Sequence, residues 1–178
     1  MKKKALESVE VWMWLIAGLI IGGLIFVAGY SILNNWFYNK ELQTATESFA
    51  LLKTSILSVC KLGAEQEEVK RLILPRIVNN ISIQDSAGLN IGVGSRLCID
   101  IKNEPILCIN LEEEPNNCAH QVVMKTLDLN DQNSLFYKVQ KASSENNAIN
   151  MRFDVTKEYI AATRTYKINI EYKEEFIR

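Results

Sequence analysis

The sequence predicts an α+β fold in which a long N-terminal transmembrane and amphipathic helix precedes an antiparallel β-sandwich or open-barrel domain. An apolar run fills residues 11–33, and apolar side chains then recur at helical spacing up to residue 59. From about residue 69 the pattern changes to the alternation typical of half-buried strands. We therefore divide the chain into a cytoplasmic leader that can be cleaved (1–5), a transmembrane helix (6–33), an amphipathic extension of that helix (34–62) and an exported β domain (63–178).

The apolar run is long enough to cross a membrane. From Val11 to Leu33 its only clearly polar side chain is Ser31, and as a helix it would extend about 34 Å. It exceeds the roughly 7 to 15 apolar residues of a cleavable secretory signal, so we expect it to be retained. Lys2–Lys4 precede it and only Lys40 follows closely, which predicts a cytoplasmic N terminus and an exported C-terminal domain. Aromatic side chains suited to the headgroup region lie towards its two ends: Trp12, Trp14, Tyr30 and Trp36.

A short motif leads into the apolar run. Three lysines are followed by Ala5 and Leu6, and Glu10 is the fifth residue after Ala5. This motif resembles the class III signal peptide of type IV pilins, in the style of their archaeal relatives. In that family a membrane peptidase cuts on the cytoplasmic side after Gly or Ala, so the resemblance implies cleavage between Ala5 and Leu6. It also implies that Glu10 is the family's acidic residue, whose charge the new N terminus of a neighbouring subunit can neutralise in a filament.

The motif departs from the family pattern in two places. Glu7 makes the first helical turn more polar than in bacterial pilins, and Ala5 replaces the commoner glycine. The alternative is an ordinary signal anchor in which Glu7 and Glu10 lie in the membrane interface near a helix N terminus. Gly18 and Gly22 form a GxxxG pattern that permits close helix packing under either interpretation.

The helix is predicted to continue beyond the membrane. A narrow apolar seam follows at alternating steps of three and four, formed by Leu42, Ala45, Phe49, Leu52, Ile56 and Val59. Leu62 and Gly63 then provide a C-terminal stop, because glycine can adopt the left-handed conformation there. We expect one helix of about 50 residues; two helices bent near Asn34 and Asn35 are the alternative.

Seven to nine short strands are predicted after the helix, separated by clusters of turn-forming residues. The clearest alternation lies in residues 149–155 and 166–172. Further candidates are Leu72 to Ile77, Ile81 to Gln84, Leu89 to Val93, Arg96 to Lys102, Ile106 to Leu111, Gln121 to Leu127 and Leu135 to Gln140.

The four cysteines all lie beyond the apolar run and predict two disulfides, as expected for an exported domain. A turn centred on Asn103 would place Cys98 opposite Cys108, leaving Cys60 for Cys118. A one-residue slip would undo this register, so Cys60–Cys98 with Cys108–Cys118 is the rival pairing.

The rest of the chain gives little indication of chemistry. A net charge of −1 excludes a strongly basic nucleic-acid binder, and the cysteine spacing with a single histidine, His120, does not suit a metal site. We expect His120 to be a surface or strand-edge residue, and we predict no catalytic residues and no cofactor. Asn80 begins an N-glycosylation sequon, Asn80-Ile81-Ser82.

These observations lead us to expect a pilin-like protein of the cell surface, either a filament subunit or a minor pilin for adhesion or assembly, and not an enzyme. The alternative is a single-pass, membrane-anchored extracellular binding module that forms no filaments. The apolar run predicts contact with membrane lipid. The resemblance implies three further partners: like or related pilin subunits reached through the N-terminal helix, a leader peptidase and the assembly machinery.

Overall fold

The computed structural model describes residues 2–62, 67–88, 91–113, 118, 120–124, 135–145 and 147–174, except for the side chains of residues 2–10, 136 and 143. The chain divides into two compact units, Met1–Lys40 and Glu41–Arg178. Helix α1 (Lys2–Lys61) contributes to both, and its backbone is helical through Asn34 and Asn35.

The first unit consists of the apolar part of α1. Its large apolar side chains from Val11 to Phe37 are between 51% and 77% exposed. At the end of the unit, Lys40 Nζ lies 5.1 Å from the centre of the Trp36 ring, a cation–π contact between residues four apart on the helix. This helix is long and apolar enough to cross a membrane, the one such helix among the residues described.

In the second unit, the predicted seam of α1 is buried. Five of its six residues are at most 2% exposed: Ala45, Phe49, Leu52, Ile56 and Val59. Leu42 is half-buried. Burying each large apolar side chain contributes about 1.5 to 3 kcal/mol. The Ser48 hydroxyl, also buried, donates a hydrogen bond of 2.8 Å to the carbonyl of Ile73.

Eight strands and a second helix lie in the described part of this unit. In chain order they are β1 (Glu67–Leu74), β2 (Val78–Gln84), β3 (Val93–Gly94), β4 (Arg96–Ile101), β5 (Leu107–Asn110), β6 (Gln121–Met124), α2 (Leu135–Ser144), β7 (Ile149–Ile160) and β8 (Thr165–Glu174). One sheet has the order β1-β7-β8-β6-β3 and the other β2-β4-β5. Neighbouring strands are antiparallel except β6 and β8, which are parallel. The predicted α+β class is confirmed.

The larger sheet buries one face. Paired residues on that face include Leu72 opposite Met151, Val155 opposite Ile170 and Val122 opposite Ile168, all at most 3% exposed. Lys157, two residues beyond Val155 on β7, reaches the end of α1 with its Nζ. The end of α1 therefore lies against this face. In the smaller sheet, consecutive residues of β4 are buried, so both faces of that strand are covered.

Two strand predictions were wrong in detail. Residues 135–140, predicted as a strand, begin helix α2, in which Leu135 and Val139 are buried one helical turn apart and the helix packs against β2. The strand predicted over 72–77 ends at Leu74, because Pro75 has no N–H to continue a ladder and a turn follows. Parts of the predicted strands at 89–93 and 121–127 lie outside the described residues, as does the predicted stop residue Gly63.

Candidate functional site

The residues of the N-terminal motif lie in the first turns of α1. The backbone is helical at Ala5, Leu6 and Glu10, and the structure does not describe the surroundings of their side chains. Further along the same unit, a Cβ added at Gly18 or Gly22 would have no neighbour within 4 Å. The GxxxG face of the helix is therefore open to another helix or to lipid.

All four cysteines are paired. Cys98–Cys108 joins β4 to β5, with Cys98 directly opposite Cys108 in the ladder, as the turn at Asn103 predicted. Cys60–Cys118 joins the end of α1 to the residue that lies three before β6 and spans 58 residues of sequence. The favoured pairing is confirmed. The second disulfide fixes the chain just before β6 against the helix.

Lys157 caps the C-terminal end of α1. Its side chain is 7% exposed, and its Nζ donates hydrogen bonds of 3.0 Å to the carbonyl of Cys60 and 2.7 Å to that of Leu62. The last carbonyls of a helix lack partners within it and carry partial negative charge, so a cation stabilises them. This role could not be predicted from the sequence, because a lysine at an inward position of a strand departs from the usual alternation of apolar and polar residues.

An aromatic cluster extends from this cap. Lys157 Nζ lies 4.9 Å from the centre of the Tyr166 ring, and the rings of His120 and Tyr159 lie 5.6 Å and 5.2 Å from the same ring. Partial burial, with the positive charge of Lys157 as a second cause, lowers the pKa of His120. The imidazole is therefore favoured in its neutral form, with one donor and one acceptor nitrogen.

His120 and Tyr166 open onto a cleft of about 590 Å³. Among the described residues, five chain segments line it and contribute Asp85, Ser86, Gly94, Ser95, Glu112, His120, Gln121, Arg164, Thr165 and Tyr166. The strand register brings them together: Val122 of β6 lies opposite Gly94 of β3 on one side and Ile168 of β8 on the other. The starts of β6 and β8 and the turn before β8 therefore meet at one end of the sheet.

Two backbone features shape the cleft. A Cβ at Gly94 would clash with the backbone of Gln84, so only glycine permits β3 to approach the end of β2. Arg164 has a φ of 54° in the turn between β7 and β8. This left-handed position usually holds glycine or asparagine, and non-glycine residues in it are enriched at functional sites.

The remaining predicted site residue, Asn80, lies apart from the residues that line the cleft. It is in β2, half-buried, and its Oδ1 is buried without a hydrogen-bond partner in the described structure. Among the described residues, no group of three His, Cys, Asp or Glu side chains could hold a metal ion.

Comparison with known proteins adds no further assignment: no protein-family model, curated protein or solved structure matches this chain. The chemistry of the cleft must therefore be argued from its own residues. One signal for the cleft was present in the sequence, because the single histidine follows Cys118 by two residues and Cys118 is tied to the end of α1 by a disulfide.

Proposed function

We propose that this chain is a pilin-like protein of the cell surface, either a filament subunit or a minor pilin that serves adhesion or assembly. The observation that carries the proposal is the exposed apolar surface of the first unit. Large apolar side chains between Val11 and Phe37 are all more than half exposed. Each would gain about 1.5 to 3 kcal/mol from leaving water, so this surface requires a covering of lipid or of other apolar helices.

The second unit supports display outside the cell. It has its own buried core and two disulfides, and disulfides persist in oxidising compartments. The lysines before the apolar run and their scarcity after it favour the same orientation. The apolar helix would hold the protein in the membrane before assembly, and neighbouring helices would replace lipid around it in a filament.

The N-terminal motif favours a filament over a simple anchor. Cleavage after Ala5 by a leader peptidase would create a positively charged N terminus at Leu6, and Glu10 would lie four residues from it. A carboxylate within an apolar helix bundle requires a partner of opposite charge. The N terminus of an adjacent subunit would provide one and would fix the register between subunits.

Electron microscopy of material sheared from cells tests this proposal, with Glu10→Ala as the variant and Glu7→Ala as the matched control. We expect abundant filaments from the wild type and from Glu7→Ala, and sharply fewer from Glu10→Ala. Loss of one partner of a buried ion pair costs about 3 to 5 kcal/mol. In Glu10→Ala the exported domain should remain folded with both disulfides formed.

Equal filament yields from the wild type and Glu10→Ala would contradict the role of Glu10, and so would an equal loss in both variants. The cleft in the second unit favours a second candidate, a membrane-anchored extracellular binding module that forms no filaments. Protein that remains in the membrane fraction, with filaments absent even from the wild type, would favour this candidate.

A further inference from the structure

We propose that the cleft formed by the starts of β6 and β8 binds a neutral saccharide. Its volume of about 590 Å³ lies within the range of about 300 to 1,000 Å³ found for small-molecule sites. The inference rests on the proposed function only in that it assigns a ligand to the adhesive role. Binding itself is a property of the second unit.

Four polar side chains that line the cleft have no hydrogen bond or ion pair with another described residue. The structure gives no hydrogen bond or ion pair between any described residue and the side chains of Glu112, Gln121 or Arg164. The imidazole nitrogens of His120 are likewise free of hydrogen bonds within the described residues, its ring packing edge-on to Tyr166. These four side chains line the same cleft from three different chain segments.

The mixture of donors and acceptors indicates a ligand with hydroxyl groups. The carboxylate of Glu112 only accepts hydrogen bonds, whereas the guanidinium of Arg164 only donates them. The amide of Gln121 and a neutral imidazole at His120 each do both. A hydroxyl group can donate to Glu112, accept from Arg164, and either donate to or accept from Gln121 and His120. A saccharide presents several such hydroxyls on one ring.

Other ligand classes fit less well. Asp85 and Glu112 bring two negative charges to the cleft and Arg164 one positive charge, and the ammonium of Lys157 lies against the ring of Tyr166. These charges balance, so a phosphate, a sulfate or an acidic saccharide would gain no net attraction. None of the described residues that line the cleft is Ala, Val, Leu, Ile or Met. These residues offer no apolar pocket to the side chains of a peptide, whereas the ring of Tyr166 lines the cleft and suits the apolar face of a sugar ring.

Arg164 provides the sharpest test because its backbone and its side chain have separable effects. Glycine at this position would adopt a φ of 54° without steric cost, so Arg164→Gly removes the guanidinium and leaves the turn unstrained. Asn103, with a φ of 65° in the turn between β4 and β5, lies outside the cleft. Asn103→Gly is therefore a matched control for the backbone change.

The experiment uses the full chain in micelles of a polyoxyethylene detergent, whose headgroup contains no sugar. A panel of defined oligosaccharides built from neutral hexoses and N-acetylhexosamines is compared with oligosaccharides containing uronic acids and with random-sequence peptides. The best binder is then titrated by calorimetry against each variant. We expect a neutral oligosaccharide to bind the wild type and Asn103→Gly equally, and Arg164→Gly at least about tenfold more weakly with an unchanged or higher melting temperature.

Gln121→Ala, a change at an exposed side chain of β6, should also weaken binding and provides a second variant if Arg164→Gly unfolds. Three results would overturn the proposal: no binding by any neutral saccharide, tighter binding of acidic saccharides or peptides, or equal affinity in the wild type and both cleft variants. Because binding is measured on solubilised protein, it does not depend on whether filaments form. A negative result here would leave the filament proposal standing.

Discussion

Lys157 joins the end of a helix to an aromatic ring. Its ammonium group donates to two carbonyls at the end of α1 and lies over the ring of Tyr166. A buried lysine is costly unless its charge is satisfied, and here two carbonyl oxygens and one ring face satisfy it. The residue thus links α1, β7 and β8 at one point.

Replacing Lys157 with methionine should destabilise the second unit by about 2 to 3 kcal/mol, because hydrogen bonds from a charged donor are lost while the side chain keeps its length. Lys173→Met, at an exposed position of β8, is the control and should change stability by less than about 0.5 kcal/mol. Urea unfolding of the full chain in micelles, followed by circular dichroism, measures both. Equal midpoints for the two variants would contradict the capping role.

His120 gives a prediction about pH. Burial and the charge of Lys157 lower its pKa in the folded state, so the unfolded chain binds more protons as pH falls below the ordinary histidine pKa of about 6.5. The contribution of His120 to stability is therefore fully present above that pH and is lost as pH falls towards the folded pKa.

In His120→Gln, the decline in urea midpoint between about pH 7.5 and about pH 5 should be shallower than in the wild type. Carboxylates contribute to the decline equally in both proteins, so the difference between the two curves isolates His120, the only histidine of the chain. Parallel curves would show that the environment of His120 does not disfavour its charged form.

At the scale of the secondary-structure elements, the two disulfides close loops of different length. Cys60–Cys118 spans 58 residues and Cys98–Cys108 spans 10. In the chain-entropy model, removing the first should cost about 4 kcal/mol and removing the second about 3 kcal/mol. Paired Cys→Ser variants, compared with the wild type by urea unfolding, measure this order. A larger loss from the shorter bridge would mean that strain or residual structure outweighs chain entropy.

The sequence predicted the helices and strands in which buried residues recur at a regular spacing. The seam of α1 and strands β7 and β8 were recognised because their inward residues recur at helical or alternating spacing. Helix α2 was missed because a short window starting at Leu135 contains too few turns to distinguish the two periods. Leu135 and Val139 are buried in a helix that packs against β2, and no local sequence pattern reveals that contact.

The cleft could not be predicted from the sequence. Its residues come from five segments between Asp85 and Tyr166, and they meet because β6 pairs with β3 on one side and with β8 on the other. The pairing of β6 with β8 is parallel and joins residues far apart in the chain, so it depends on the whole topology. By contrast, the Cys98–Cys108 bridge was predictable because a single hairpin turn determines its register.

At the scale of the whole molecule, the two units have opposite surfaces. The first exposes its large apolar side chains from Val11 to Phe37, whereas the second has a buried core that includes most of the apolar seam of α1, one face of the larger sheet and the cysteines Cys60, Cys98 and Cys118. The proposed function explains this contrast by giving the first unit to the membrane or to neighbouring subunits and the second to the cell exterior. Cleavage of the leader distinguishes this account from that of a simple anchor.

Mass spectrometry of the N-terminal peptide of the native protein, purified from its own cells, distinguishes a pilin-like protein from a simple anchor. We expect a chain that begins at Leu6. We also expect Ala5→Leu to retain the leader and still insert into the membrane, because the apolar run is unchanged. A native wild-type chain that still carries Lys2, Lys3 and Lys4 would contradict the pilin-like assignment.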